Sequence, residues 1–99
     1  MTDNYLSNAR LLRNFFESVG WKVTGAENSP YVWTREPGGM KSEELFEKLL
    51  TEAGVSTTPG VGFGSEGEGF IRLTGFSSRE NTLKAIDRLK QVLVSRNDK

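Results

Sequence analysis

Residues 69–80 read Gly69-Phe70-Ile71-Arg72-Leu73-Thr74-Gly75-Phe76-Ser77-Ser78-Arg79-Glu80, an apolar strand that runs straight into a helix start and carries one charge. Phe70, Ile71, Leu73 and Phe76 read as a buried β-strand, where the guanidinium of Arg72 is costly unless it meets a carboxylate or a similar partner. Ser77 and Glu80 have the Ser-x-x-Glu spacing of a capping box, in which each side chain satisfies the other residue's free backbone N–H. The spacing predicts a helix over about 78–95, with Leu83, Ile86, Leu89 and Leu93 on its apolar face.

Upstream of this unit lies a glycine-rich connector, about 59–69, and before it Val55-Ser56-Thr57-Thr58 reads as a short strand ending at Pro59. A helix over about 42–53 precedes that strand, with Ser42 as its N-cap, Glu43 and Glu44 at the positive end of its dipole and Gly54 closing it. Its stripe is Leu45, Phe46, Leu49, Leu50 and Ala53, while Glu43, Glu44, Glu47, Lys48 and Glu52 form a solvated face. Tyr31-Val32-Trp33-Thr34 is a strand of four β-formers, with Tyr31 and Trp33 on one side and Val32 and Thr34 on the other. Trp21-Lys22-Val23 reads as a shorter strand before the turn-rich residues 25–30. The chain opens on an amphipathic helix over about 4–19, in which Tyr5, Ala9, Leu12, Phe16 and Val19 recur at spacings of three and four, widened by Leu11 and Phe15. Asp3 or Asn4 can cap it, and Gly20 stands where a left-handed residue ends a helix.

The order is thus α-β-β-α-β-β-α, and 99 residues make one domain, 1–99. The expected fold is an α/β (α+β) two-layer sandwich, a small, mainly antiparallel sheet with helices on one side. Thirteen basic and thirteen acidic residues cancel, which leaves no electrostatic footprint for nucleic acid or an anionic membrane. No apolar run is long enough to span a bilayer, and the N-terminal residues lack the pattern of a signal peptide, so a cytoplasmic location is expected. With no cysteine and no histidine, disulfides, thiol catalysis, the usual zinc sites and histidine-based triads are excluded.

Two motifs bear on function. Gly62-Phe63-Gly64-Ser65-Glu66-Gly67 matches the Gly-x-Gly-x-x-Gly string of dinucleotide loops, but a strand follows it where a helix should begin, and Glu66 and Glu68 would repel a phosphate. The connector is therefore expected to be a mobile loop with glycines at positive φ. Arg72 admits two readings: an edge-strand arginine with its stem on the sheet and its head in solvent, or a fork for a carboxylate. Trp21, Tyr31 and Trp33 read as core or interface aromatics, and no pair of carboxylates stands out as acid and base.

Four stretches taken together resemble a known family. They are Asn28-Ser29-Pro30-Tyr31-Val32-Trp33, Glu44-Leu45-Phe46-Glu47-Lys48-Leu49-Leu50, Thr58-Pro59-Gly60-Val61-Gly62-Phe63-Gly64, and Gly67-Glu68-Gly69-Phe70-Ile71-Arg72-Leu73-Thr74 followed by Ser78-Arg79-Glu80-Asn81. In this order they look like the C-terminal small domain of fold-type I aminotransferases, which depend on pyridoxal 5′-phosphate, and most like the LL-diaminopimelate branch of that superfamily. The resemblance runs from about Tyr5 to about Leu93.

The resemblance implies a division of labour. In such enzymes a large domain supplies the lysine, the acidic partner of the pyridine nitrogen and the phosphate-binding residues. That domain has no counterpart here, and Lys22, Lys41, Lys48, Lys84, Lys90 and Lys99 all fall in small-domain positions. By the same resemblance Arg72 binds the α-carboxylate of an amino-acid or 2-oxo acid substrate, no residue here is catalytic or holds the cofactor, and the whole enzyme, a homodimer of lysine biosynthesis, closes this domain over its cofactor. The isolated chain is expected to be inactive. A free-standing small-ligand or protein-interaction module, or a separately encoded subunit, are the alternatives.

Overall fold

The computed structural model describes residues 3–94. Three helices, α1 (Asp3–Ser18), α2 (Ser42–Ala53) and α3 (Arg79–Leu93), accompany four strands, β1 (Lys22–Gly25), β2 (Tyr31–Arg35), β3 (Thr58–Pro59) and β4 (Phe70–Thr74). The element order is the expected one. All pairings are antiparallel, and the strands lie in the order β1-β2-β4-β3. The two-layer α+β architecture follows from alternation: Val32, Thr34, Ile71 and Leu73 are buried on one face of β2 and β4. Against them lie Ala9, Leu12, Phe16, Leu45, Leu49 and Leu89 from the three helices. Fully burying a leucine here contributes roughly 1.5–3 kcal/mol, so this interdigitated layer carries most of the fold's stability.

α1 ends as its sequence suggests. Gly20 has φ +87°, the Trp21 N–H donates to Phe16 O at 3.0 Å and the Gly20 N–H to Glu17 O at 3.1 Å, which together satisfy carbonyls that the helix leaves open. Asn4, one of the two expected caps, is already inside the helix, as is Asp3.

Several local expectations are corrected by tertiary contacts. The cap of α3 is Ser78, whose Oγ accepts from the Asn81 N–H at 3.0 Å, and the expected Ser77–Glu80 box does not form. Ser77 is held elsewhere: its N–H donates to Gly75 O and its carbonyl accepts from buried Asn8 at 2.7 Å, while Glu80 pairs with Lys84 at 3.6 Å. Phe76 lies past the end of β4 and is exposed, as are Leu83 and Leu50. The inner side of α3 is made instead by Thr82, Ala85, Ile86 and Leu89. α3 ends at Leu93, and its expected last residue, 95, lies outside the described residues. The strand expected over 55–58 shrinks to Thr58–Pro59, because Val55 is drawn into the core and a proline cannot extend the ladder by donating.

Ser42 is the first residue of α2, with Lys41 in the cap position and no side-chain cap from it. A glutamate from the connector does that work. Glu68 Oε1 accepts from the Ser42 N–H at 2.8 Å, and the Ser42 hydroxyl is fully buried between the Gly67 and Phe70 carbonyls at 3.1 and 2.9 Å. The connector has glycines at positive φ as expected, Gly64 and Gly69, and contains two 3-10 turns, Gly60–Phe63 and Ser65–Gly67. Neither opens an α-helix.

Candidate functional site

Arg72 is in β4, an interior strand flanked by β2 and β3, which excludes the edge-strand reading. In register, Trp33 and Thr58 stand on either side of it. The alternation that buries Ile71 and Leu73 turns Arg72 to the opposite face, together with Tyr31, Trp33, Phe70 and Thr74. That face is aromatic. The guanidinium carbon of Arg72 lies 4.7 Å from the ring centroid of Tyr31 and 4.7 Å from that of Phe63, and Phe63 meets Trp33 edge-on at 5.3 Å. Such cation–π contacts stabilise by about 0.5–2 kcal/mol each, and they fix the plane of the guanidinium while leaving its edge donors for in-plane hydrogen bonds.

Those donors lack a partner. Arg72 Nε is enclosed and unbonded, and among the described residues no carboxylate lies within ion-pair distance of Arg72. An enclosed donor on a charged group costs more than about 1–3 kcal/mol when unsatisfied, which marks a position that an acceptor would complete. Arg35 also meets a ring, that of Phe70 at 5.3 Å, but four other arginines contrast with this. Arg10 and Arg13 bond carbonyls of the β1–β2 turn, Arg88 bonds Ala53 O at 2.7 Å, and Arg79 bonds Asn8 Oδ1 at 2.8 Å. Each of these four joins elements of the fold, whereas Arg72 meets only rings.

The side chains ringing Arg72 are Tyr31, Trp33, Thr58, Phe63, Phe70 and Thr74, with no lysine among them. An arginine here matches the planar geometry of a carboxylate, and with no lysine beside it the lining offers no amine to the aldehyde of pyridoxal phosphate. Phe63 and Tyr31 were not visible as site residues in the sequence. The usable signal was alternation for Tyr31, which shares a strand face with Trp33, but for Phe63 only the closed connector places the ring.

The connector is fastened at its base. A Cβ at Gly60 would strike Gly67 O and lie 2.8 Å from Phe70 O, so the backbones at 60 and 67 approach more closely than any side chain allows. Glu68 is held below the ordinary carboxylate range, first by the Ser42 N–H and further by the Gly69 N–H and the charge of Lys41. The negative charge of Glu68 at the start of α2 takes the place a phosphate would occupy in a dinucleotide loop.

A small antiparallel sheet carries helices on one face and an arginine among aromatic rings on the other. The chain belongs to the class I and II aminotransferase family, whose model matches residues 1–89. It is 48% identical over 90 residues to the LL-diaminopimelate aminotransferase of Phocaeicola vulgatus, covering 91% of this chain and 22% of that protein. The corresponding enzyme of Bacteroides fragilis is 47% identical over 89 residues. Among solved structures, L,L-diaminopimelate aminotransferase from Chlamydomonas reinhardtii superposes with a TM-score of 0.87 at 40% identity, over 91% of this chain and 22% of that one. An aromatic aminotransferase from Pyrococcus horikoshii gives 0.84 at 28% identity, over 94% and 25%. The chain therefore spans about a fifth of the length of the curated relatives it matches.

Proposed function

We propose that this chain is the small, C-terminal domain of a pyridoxal-phosphate-dependent aminotransferase of the LL-diaminopimelate type, and that Arg72 binds the α-carboxylate of its amino-acid or 2-oxo acid substrate. The observation that supports this is the enclosed, unbonded Arg72 Nε between two aromatic rings on the open sheet face. A planar guanidinium held in this way is ready for two parallel N–H···O bonds to a carboxylate. The rings keep water from one side of the pair, which strengthens it.

The rest of such an enzyme would hold the cofactor, whose role when bound is to act as the electron sink for amino-group transfer. This chain contributes orientation of the substrate and closure of the site. The partners are then the large cofactor-binding domain and, in a homodimer, a second subunit, with the cytoplasm as the compartment. Among the described residues no helix is long and apolar enough to cross a membrane. The chain alone is inactive in this account. Mixing it with pyridoxal phosphate, an amino acid and a 2-oxo acid should yield no amino-group exchange, and turnover by the purified chain that is lost when one of its six lysines is changed would overturn the division of labour.

A further inference from the structure

We infer that Glu68 and Ser42 are positioning residues for the Arg72 site: they latch the 60–67 connector onto the start of α2 and so hold the Phe63 ring against the guanidinium. The inference rests on the proposed role of Arg72 and adds the means by which its site is kept in shape.

The latch is a closed set of hydrogen bonds. Glu68 Oε1 accepts from Ser42 N at 2.8 Å and from Gly69 N at 2.9 Å. The buried Ser42 Oγ accepts from Gly69 N at 2.7 Å and reaches the carbonyls of Gly67 and Phe70. With Gly60 packed directly on Gly67, both ends of the connector are fixed to the same point of the fold. Between them Phe63 projects from a single 3-10 turn and is 54% exposed. So exposed a ring has little packing to hold it. Its ring contacts are Trp33 at 5.3 Å and Arg72 at 4.7 Å, which places the burden of its position on the connector's backbone. Tyr31, by contrast, lies in a paired strand and keeps its place without the latch.

The test is a spectroscopic one on the 99-residue chain and needs no substrate. Nuclear Overhauser contacts from the Phe63 and Tyr31 rings to the Arg72 side chain are compared in the parent, Glu68→Ala and Glu68→Gln. In Glu68→Ala the Phe63–Arg72 contacts should lose most of their intensity while the Tyr31–Arg72 contacts persist, and Glu68→Gln, which keeps an oxygen acceptor in place, should restore them in large part. Should Glu68→Ala not fold, Glu68→Asp, one methylene too short to reach both N–H groups, is expected to show the same selective loss. Unchanged Phe63–Arg72 contacts in the folded variants overturn the inference, and so does an equal loss at both rings, which would mean general loosening. Because no ligand is present, this outcome is independent of whether Arg72 binds a carboxylate.

Discussion

Arg79 Nε donates to Asn8 Oδ1 at 2.8 Å across 71 residues of sequence, tying the first turn of α3 to the middle of α1. Asn8 is fully buried, and its amide group donates onward to Gly75 O and Ser77 O. Arg79→Ala leaves the Asn8 oxygen without its charged donor. Hydrogen bonds to charged groups contribute about 1.5–3 kcal/mol, so the variant should lose stability of that order in urea denaturation. Its effect on carboxylate binding should be small, which makes Arg79 the control for Arg72. Unchanged stability would show that the contact is dispensable.

Two glycines of the connector should respond oppositely. At Gly60 a methyl group meets backbone atoms of Gly67 and Phe70 that cannot swing away, and Gly60→Ala is expected to destabilise by about 1–3 kcal/mol or more. At Gly62 nothing lies within 4 Å of an added Cβ, so Gly62→Ala should be neutral or slightly stabilising. Thermal melts of the two variants side by side check the contrast, and equal melting temperatures would refute the tight closure at 60 and 67.

Glu68 predicts a pH dependence with a definite sign. Its pKa in the folded chain is lowered from the ordinary 4.5, first by the Ser42 N–H, so the folded state favours the carboxylate. The resulting stability is present above the unfolded value and is lost as pH falls through the folded one. The stability difference between parent and Glu68→Gln should be constant near neutrality and shrink below about pH 4.5, as measured by urea denaturation across pH. A difference that grows on acidification would reverse the sign and contradict the latch.

Much of this was legible in the chain because it is written locally. Helical spacing marked Ala9, Leu12 and Phe16, and strict alternation put Tyr31 and Trp33 opposite Val32 and Thr34. The unlegible parts depend on partners far away in sequence. Ser42 has the composition of a cap, but its hydroxyl is claimed by carbonyls 25 and 28 residues on, and a glutamate 26 residues on does the capping. The choice of Ser78 over Ser77 was made by Asn8, 69 residues away from the carbonyl it holds. Arg72 could be singled out as a misplaced charge from the sequence alone. Its interior strand, its two rings and its enclosed donor required the sheet and the closed connector to be seen together.

The central claim is tested most directly by Arg72→Lys in the enzyme completed by its cofactor-binding domain, with substrate affinity, cofactor affinity and melting temperature measured together. Lysine keeps the positive charge but loses the planar pair of donors and the ring stacking. Losing one charge-assisted hydrogen bond of about 1.5–3 kcal/mol should weaken binding of amino and 2-oxo acids by roughly 10- to 100-fold, with cofactor affinity nearly unchanged and only a modest fall in melting temperature from the weaker ring contacts. An unchanged substrate affinity, with any loss appearing in the melting temperature, would contradict the account and leave Arg72 as a structural residue of the sheet.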